Sequence, residues 1–318
     1  MKHTTVLLLV LTATTIAFAL KKDPAYREAR LKGALAKMQL RIADDGGNAV
    51  ADANVAVFMG MNFRDQGYWI RGRTDTNGIF NVAGKTCGDA IEIYLSKEGY
   101  YDSKKTFRFA TMGAEREVKD GKWQPFGERE EIILRESDVH HAARLIALDR
   151  IVDVVHTNVW LGFDMEKMDF VKPVGIGTSV DWEINVDWDG LPAWDSKRCS
   201  AEIRFPAALA GGYYSKNVMD SRFPFPFFAT TDEAYGERGI RIVDRNGDPH
   251  TTNIAFPKDE SFVTRTRCII DEKQTIKSAN YGCIRRFEIG PSRRGVALLR
   301  LSYVFNPTPN DTNLEPKR

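Results

Sequence analysis

The chain has 318 residues, of which 43% are hydrophobic and 28% are charged. This composition excludes a disordered chain, and the length allows two domains of ordinary size, each with a sizeable core. Lysine and arginine number 45 against 43 acidic residues, a net charge of +2. Because positive and negative charges are nearly balanced, the chain has no overall electrostatic field that would attract nucleic acid or an anionic membrane. We therefore expect no nucleic-acid partner.

The N-terminus is predicted to be a signal peptide over residues 1–19. Lys2 supplies a positive start, an apolar run follows from Val6 to Ala19, and Ala17-Phe18-Ala19 offers the pattern that signal peptidase cuts. The run is too short to span a bilayer comfortably, and no similar run follows it, so a retained anchor is the less favoured alternative. We expect cleavage before Leu20, a periplasmic or extracellular location, and no integral membrane segment after cleavage.

Residues 20–38 are predicted as a short helix and linker. Asp23 can cap the helix, and Pro24 suits its first turn, where no amide donor is lost. The sequence that follows, AYREARLKGALAKM, carries charges typical of a solvated face. We assign this segment no function.

Residues 39–136 alternate apolar and polar side chains with a period of two. An Asp-Gly-Gly turn divides the first two runs, and Val55 and Val57 share a face of the second. The turn from Thr74 to Gly78 lies between YWIRGR and IFNV and predicts a hairpin of these two runs. Further strands are predicted over AIEIYLSKEGYY, KKTFRFAT and REEIILRE. So many short strands within about 100 residues indicate a small β-sandwich.

Three segments of this region, AVADANVAVF, TDTNGIFNV and LSKEGYY, resemble the carboxypeptidase regulatory-like domain, a transthyretin-like sandwich. The sequence Gly47-Asn48-Ala49-Val50 stands where that family usually has Gly-x-Pro-Val, a departure from its pattern. The resemblance implies an accessory folding or binding module. It supplies no catalytic residue.

Residues 137–305 are predicted as a larger β-rich domain. Residues 137–158 have apolar side chains at helical spacing but also two strand-like runs, RLIAL and RIVDVV, and we favour extended structure. Turns are predicted at Asp189-Gly190 and Asn246-Gly247, and a loop at Gly211-Gly212. The strand candidates are SVDWEINVDW, SAEIRFP, RGIRIVDRNGD, SFVTRTRCII, YGCIRRFEIG and GVALLRLSYVF.

Residues 306–318, NPTPNDTNLEPKR, are predicted as an extended, peripheral C-terminal tail because they contain three prolines and few apolar side chains. The segments GFDMEKMDFVKPVGIG, SANYGCI and FNPTPNDTNLE resemble parts of uncharacterised exported bacterial proteins. In those proteins a domain like the first one precedes a β-rich second domain. This resemblance supports the two-domain organisation and implies no activity.

The stretch SVDWEINVDWDG separates into two strand faces. The face predicted to pack into the core contains Val180, Trp182, Ile184, Val186 and Trp188. The other face, predicted to be a carboxylate row in water, contains Asp181, Glu183, Asn185, Asp187 and Asp189. It is similar to the Glu-x-Asp-x-Glu strand of laminarinase-like glycosidases, but Asn185 and Asp187 replace the second and third acids. Glu183 and Asp187 would lie about 13 Å apart, too far for either glycosidase mechanism.

The predicted ligand-binding residues form an aromatic-rich region. They are Trp194, Tyr213, Tyr214, Phe225 and Phe227. Pro224 and Pro226 exclude regular pairing in a central strand, so the segment is predicted as an edge or loop that carries large apolar groups. Such a segment either covers its own core, which we favour, or forms an exposed patch for a glycan or protein partner of the cell envelope.

No catalytic residue, metal or cofactor is predicted. The histidines lack the HExxH and HxH spacings, and His140 and His156 are only weak candidates for zinc ligands. No serine or cysteine lies in a recognised nucleophile motif. These observations favour a protein without catalysis.

The cysteines suit an oxidising compartment. They are Cys87, Cys199, Cys268 and Cys283, and both disulfides and free thiols are open to them. One pairing is disfavoured. If residues 263–288 form a hairpin that turns near residues 271–274, Cys268 and Cys283 are about 17 Å apart, and a disulfide needs Cα atoms within about 7 Å.

We therefore predict a mainly β protein. An N-terminal Ig- or transthyretin-like β-sandwich over residues 39–136 precedes a larger, sandwich-like second domain, and a short helix lies before both. The expected function is that of an exported, non-catalytic binding or structural module of the cell envelope or extracellular space. The alternative is a hydrolase that acts on envelope or extracellular polysaccharide or peptide, with its site in the second domain.

Overall fold

The computed structural model describes residues 24–60, 67–109, 118–137, 145–154, 156–188, 199–231, 235–242, 253–254, 257–291 and 297–315. Within these ranges the chain forms one short α-helix and twenty β-strands, so the predicted mainly β fold is confirmed. No helix in these ranges is long and apolar enough to cross a membrane. The predicted signal peptide and the turns at Asp189-Gly190 and Asn246-Gly247 lie outside them.

The chain divides into two compact units. Unit 1 comprises residues 1–137 together with residues 220–223, and unit 2 comprises residues 138–219 and 224–318. Each unit contains two sheets, and a cluster of buried apolar side chains draws on both of them. Each unit is therefore a β-sandwich.

The helix α1 covers Pro24–Lys32 and is shorter than the sequence predicts. Gly33 has a φ of +80°, and its N–H donates to the carbonyl of Ala29 at 2.9 Å, a common way for a helix to end. The chain then enters strand β1 (Ala34–Ala43), in which every second side chain as far as Met38 is buried. The predicted helix therefore ends too late, because this period of two favours a strand.

Unit 1 contains nine of the described strands. They are β1 (Ala34–Ala43), β2 (Asn54–Met59), β3 (Tyr68–Arg73), β4 (Ile79–Thr86), β5 (Ala90–Ser96), β6 (Ser103–Arg108), β7 (Val118–Lys119), β8 (Lys122–Trp123) and β9 (Glu128–Ile133). One sheet has the order β4-β1-β8-β7, with β9 also paired to β1. The other sheet has the order β3-β2-β5-β6. Val55 and Val57 share a face, as predicted, and that face is the buried inner one.

The predicted hairpin of YWIRGR and IFNV is wrong. These runs belong to β3 and β4, which lie in different sheets: β3 pairs with β2, and β4 pairs with β1. The turn between them is nevertheless real. The Asp75 carboxylate accepts N–H bonds from Asn77 and Ile79 at 2.9 and 2.7 Å. The buried Thr74 hydroxyl donates to the carbonyl of Val50 at 2.7 Å. The turn therefore leads the chain from one sheet to the other instead of folding it back on the same sheet.

Unit 2 contains the other eleven strands. They are β10 (Ile146–Val154), β11 (Leu161–Asp164), β12 (Asp169–Phe170), β13 (Trp182–Trp188), β14 (Cys199–Arg204), β15 (Gly211–Lys216), β16 (Gly239–Ile242), β17 (Asn253–Ile254), β18 (Glu260–Ile270), β19 (Ile276–Pro291) and β20 (Ala297–Asn306). One sheet has the order β10-β20-β19-β18-β15, with β17 also paired to β19. The other has the order β12-β11-β13-β14-β16. The extended structure favoured for RLIAL and RIVDVV is confirmed by β10.

The core of unit 2 contains most of the side chains predicted to face inward from SVDWEINVDW. Those buried are Trp182, Ile184, Val186 and Trp188. The ring of Trp182 stacks on that of Phe163, with 4.4 Å between the centroids. Val180 is exposed, and its predicted inward position is wrong, because β13 begins only at Trp182.

A predicted loop and a predicted peripheral tail are both integral parts of unit 2. Gly211 and Gly212 begin β15 and do not form a loop; a side chain on Gly212 would collide with the ring of Phe262, which packs over it. In the predicted peripheral tail, Leu314 is fully buried, and its N–H donates to the carbonyl of Phe227 at 2.7 Å. The prediction that the tail is peripheral is wrong because Leu314 packs into a buried apolar cluster.

Candidate functional site

The acidic side of SVDWEINVDWDG does not form one row in water. Asp181 is buried, so its predicted exposure is wrong. It lies before the regular part of β13 and faces the interior. Its carboxylate accepts a hydrogen bond from the N–H of Met165 at 2.7 Å and from the hydroxyl of Thr266 at 3.0 Å. Glu183 and Asp187 are half-buried on the other side of the strand.

Arg267 joins Asp181 to two other carboxylates. Its guanidinium donates to Asp181 at 2.8 and 3.0 Å, to Asp164 at 2.9 Å and to Glu166 at 2.5 Å. Arg267 lies at an irregularity of β18 and has a φ of 51°. This conformation is uncommon for a residue other than glycine, and bulges of this kind re-aim side chains. We call these four residues the Arg267 cluster.

Burial and hydrogen bonding set the charge states of the Arg267 cluster. Burial raises the pKa of Asp181, although Arg267 opposes that change. Burial also acts to raise the pKa of Asp164, but backbone N–H bonds from Thr178, Lys167 and Ser179 outweigh it and hold that pKa below its ordinary value.

The Arg267 cluster has a structural role. Every oxygen of Asp164 and Asp181 already accepts hydrogen bonds from within the protein. The cluster therefore ties the segment after β11 to β18 and offers no vacant ligand position on these two acids. Within the described ranges, no group of three His, Cys, Asp or Glu side chains is arranged to hold a metal ion.

The two tyrosines predicted to bind a ligand point to opposite faces of β15, as successive strand residues do. Tyr213 packs edge-on against Tyr235, with 5.2 Å between ring centroids. Tyr214 packs against Phe262 at 5.0 Å and is partly exposed. Trp194, their predicted companion, lies outside the described residues. The two tyrosines therefore do not share a surface.

The two predicted phenylalanines lie in the proline-containing segment 224–231. The ring of Phe225 has the guanidinium of Arg285 over it at 4.0 Å. The carbonyl of Phe227 accepts the N–H of Leu314 at 2.7 Å. The segment thus packs along the C-terminal tail over the core of its own unit, the arrangement that the sequence favours. Ligand binding by these aromatic residues stays a prediction.

The weak zinc candidates are not seen together, since His156 is exposed and His140 lies outside the described residues. Cys87, Cys268 and Cys283 are free thiols. Cys283 lies opposite Val263 in the hairpin of β18 and β19, far along the strands from Cys268, so the expectation that these two cysteines do not pair is confirmed. Burial raises the pKa of the Cys283 thiol to about 11.

A second candidate surface lies in unit 1, where sequence analysis places no site. Phe58, Trp69 and Tyr94 come from three adjacent strands, β2, β3 and β5. The ring centroids of Phe58 and Trp69 are 5.1 Å apart, and those of Trp69 and Tyr94 are 5.5 Å apart. Such distances are typical of interacting aromatic rings. We call these three side chains the aromatic platform.

The aromatic platform lies on the outer face of the sheet β3-β2-β5-β6. Val57 and Ile93 fill the core from the inner face, so strand alternation places Phe58 and Tyr94 outside. Trp69 belongs to the edge strand β3 and is 41% exposed. A folded domain that leaves an indole exposed beside two other rings has the kind of patch that marks binding surfaces.

Charged side chains surround the aromatic platform. The guanidinium of Arg71 is 5.3 Å from the Trp69 ring centroid, and the ammonium of Lys104 is 4.9 Å from that of Tyr94. Glu92 accepts a hydrogen bond from the Tyr94 hydroxyl at 2.5 Å and pairs with Lys104 at 3.3 Å. The Tyr94 hydrogen bond lowers the pKa of Glu92, and contacts with Tyr94 and Glu92 raise the pKa of Lys104, so both remain charged near neutral pH.

A groove with a volume of about 470 Å³ continues this surface. It is lined by Asp52, Asn54, Arg73, Lys97 and Glu98. Arg73 is the next outward residue of β3 after Arg71, and Asn54 is its partner on β2. The aromatic platform and the groove therefore lie in line on one sheet face. The platform offers a ligand aromatic rings, and the groove offers it polar groups.

Sequence reasoning missed this site because it treated YWIRGR only as one arm of a hairpin. The available signal was the alternation of Trp69, Arg71 and Arg73 on one face, where a buried strand would have aliphatic side chains. The contributions of Phe58 and Tyr94 depend on strand pairing, which the local sequence does not reveal.

The comparisons with known proteins leave the family open. No protein-family model matches the chain, and no curated protein matches it. Among solved structures, 3-chlorocatechol 1,2-dioxygenase from Rhodococcus opacus is 14% identical over 33% of this chain and 61% of its own, with a TM-score of 0.26. Catechol 1,2-dioxygenase from Pseudomonas arvilla is 13% identical over 37% of this chain and 55% of its own, also at 0.26.

A DUF3823 family protein from Parabacteroides merdae is 8% identical over 89% of this chain and all of its own, with a TM-score of 0.23. For the two dioxygenases, the matched part of the chain covers less than two thirds of their own length.

Proposed function

We propose that this protein is an exported, non-catalytic binding protein of the cell envelope or extracellular space, and that the aromatic platform binds its ligand. The observation that supports this proposal most is the exposure of Trp69 in contact with Phe58 and Tyr94. Clustered aromatic side chains dominate the energetics of many binding surfaces because they bury a large area at little cost in conformational entropy.

The chemistry of the surface favours a glycan as the ligand. Aromatic faces offer apolar contact to the C–H faces of sugar rings. Around them, Arg71 and Asn54 supply donors, and Glu92 supplies an acceptor for hydroxyl groups. A surface that extends from the platform into the groove suits a linear polymer better than a small molecule, which proteins usually enclose.

Two features of the sequence support the exported-module part of the proposal. The positive start and apolar run over residues 1–19 have the pattern of a cleaved signal peptide. Residues 39–136 resemble the carboxypeptidase regulatory-like domain, whose members are accessory modules. N-terminal sequencing of protein recovered from the native host tests export: a chain that starts at Leu20 is expected, and an intact Met1 start on cytoplasmic protein would contradict it.

Binding is tested with Trp69→Ala against a matched control, Tyr214→Ala, an exposed aromatic residue of unit 2 that the sequence places in its predicted site. Affinity electrophoresis and calorimetry over a panel of soluble polysaccharides should show wild-type binding that Trp69→Ala weakens by roughly tenfold or more. Tyr214→Ala should bind like the wild type. Loss of binding only in Tyr214→Ala would move the site to unit 2.

The same incubations separate a binding protein from the hydrolase alternative. A binding protein shifts its melting temperature with ligand and releases no reducing ends. Steady release of reducing ends by the wild-type protein would refute the non-catalytic proposal.

A further inference from the structure

We infer that the aromatic platform recognises an acidic glycan, one whose sugars carry carboxylates, such as a uronic acid polymer. This inference rests on the proposed function and names the class of ligand for the same site. It depends on the charges that share the outer face of the sheet with the three rings.

Strand register decides which charges share that face. Ala56 pairs with Arg71 on one side and with Tyr94 on the other, and Tyr94 pairs with Lys104, so these four residues form one row across the sheet. The described strand positions on this face that carry positive charge are Arg71, Arg73, Lys104 and Arg108. Glu92 is the only acidic residue at the described strand positions of this face. With Asp52, Lys97 and Glu98 of the groove included, five basic side chains stand against three acidic ones, so this surface is basic although the whole chain is nearly neutral.

Arg71 is the cation best placed to meet an anionic ligand. Arg73 pairs with Asp52 at 2.9 Å, and Lys104 pairs with Glu92 at 3.3 Å. No carboxylate within the described ranges forms an ion pair with Arg71, whose guanidinium lies over the ring of Trp69. A guanidinium presents two parallel donors that match a carboxylate. A sugar ring packed on Trp69 and Tyr94 would bring its carboxylate substituent next to Arg71.

Nucleic acid is also negatively charged, and its bases also stack on aromatic side chains. The position of Glu92 nevertheless favours a glycan. Glu92 lies in the same row as Phe58 and Trp69, and the hydrogen bond from Tyr94 keeps it ionised. A carboxylate there accepts hydrogen bonds from sugar hydroxyls, whereas the phosphodiester oxygens of a nucleic-acid backbone have no donor to offer it. An acidic glycan suits both kinds of charge on this face, because its carboxylates can pair with Arg71 and its hydroxyl groups can donate to Glu92.

The test compares each acidic polymer with its own neutral form. Polygalacturonate, alginate and hyaluronate are offered to the purified protein beside the same polymers with their carboxyl groups reduced to alcohols, at low and high salt. The variants are Arg71→Gln, Arg71→Lys and Trp69→Ala, and an oligo-thymidine strand is included as a polyanion without sugar carboxylates. A melting curve of each variant confirms that it is folded.

We expect at least one acidic polymer to bind roughly tenfold more tightly than its reduced form, with the difference disappearing at high salt. Arg71→Gln should lose most of this preference, by about fivefold, and should weaken binding of the reduced polymer much less, because the glutamine amide still donates a hydrogen bond to a hydroxyl group. Trp69→Ala should weaken both forms.

The contrary outcomes are distinguishable. Equal binding of the acidic and reduced forms would overturn the inference and leave the proposed function standing. Absence of binding to every polymer would overturn both. Oligo-thymidine bound as tightly as the best glycan, with the same dependence on Trp69 and Arg71, would replace the glycan with nucleic acid.

Discussion

Replacing Arg267 with methionine is expected to destabilise unit 2 strongly. The variant keeps an unbranched apolar side chain but removes the cation that pairs with Asp164 and Asp181, whose side chains are 1% and 0% exposed. Breaking a buried ion pair by removing one partner costs about 3–5 kcal/mol. For a domain of roughly 150–250 residues, each kcal/mol shifts the melting temperature by about 2–4 °C. We therefore expect a fall of roughly 6–20 °C at pH 7.

The loss of stability should shrink in acid, and the sign follows from the buried carboxyl group of Asp181. Burial raises the pKa of Asp181, and in the variant Arg267 no longer opposes it. A group whose pKa rises on folding destabilises the native state above its folded pKa, and this penalty fades as the pH falls. The lowered pKa of Asp164 depends mainly on backbone N–H bonds that the variant keeps, and its stabilising contribution is lost only when the pH falls below the ordinary pKa of a carboxyl group. The narrowing of the gap between variant and wild type towards pH 4 is therefore expected from Asp181.

Differential scanning calorimetry between pH 4 and pH 7 measures this gap. Arg300→Met is the matched control, because Arg300 is partly exposed and its partner Glu288 keeps a second contact, with Arg286. Its cost should stay below about 1 kcal/mol. Adding Asp181→Asn to Arg267→Met should recover part of the lost stability, because it removes a buried carboxylate that no longer has its arginine partner. A gap at pH 7 no larger than that of Arg300→Met, or a gap that does not change with pH, would refute this reasoning.

Three further predictions concern the core of unit 2. Leu314→Ala should cost about 2–5 kcal/mol in chemical denaturation because the leucine is fully buried, whereas the exposed Leu209→Ala should cost little; equal effects would contradict the packed tail. Gly212→Ala should cost about 1–3 kcal/mol through collision with a neighbouring aromatic ring, and Gly290→Ala, with open space around it, should not. Cys283 should react with a disulfide reagent at pH 8 only after unfolding, since burial raises its pKa to about 11, and rapid reaction of the native protein at this thiol would contradict that.

The parts of the fold that the sequence predicts are those that depend on local alternation. Trp182 and Trp188 are placed correctly because a period of two determines which side of a strand is buried. The same rule fails for Asp181, which precedes the regular strand and is drawn inward by Arg267, a partner distant in sequence. The turn at Asp75 is predicted correctly, but whether its flanking strands pair depends on the competing partners β1 and β2.

The candidate site illustrates the same limit. The two prolines and the aromatic side chains around Phe225 and Phe227 are consecutive in sequence, so they attract notice, yet they pack along the C-terminal tail of their own unit. The aromatic platform unites Phe58, Trp69 and Tyr94, which are ordinary members of separate strands. Only the pairing of β3 with β2, and of β2 with β5, brings them together.

The arginines of β3 have a second physical explanation, because β3 is an edge strand and charged side chains on an edge deter pairing with other chains. That protection needs charge alone, so Arg71→Lys would preserve it, whereas recognition of a carboxylate by a planar guanidinium over Trp69 would not survive the change. The exposed indole of Trp69 argues for recognition, since a large apolar side chain on an edge makes self-association more favourable. An Arg71→Lys variant that stays monomeric but loses its preference for acidic polymers separates the two roles; one that binds like the wild type would leave edge protection as the only role of Arg71.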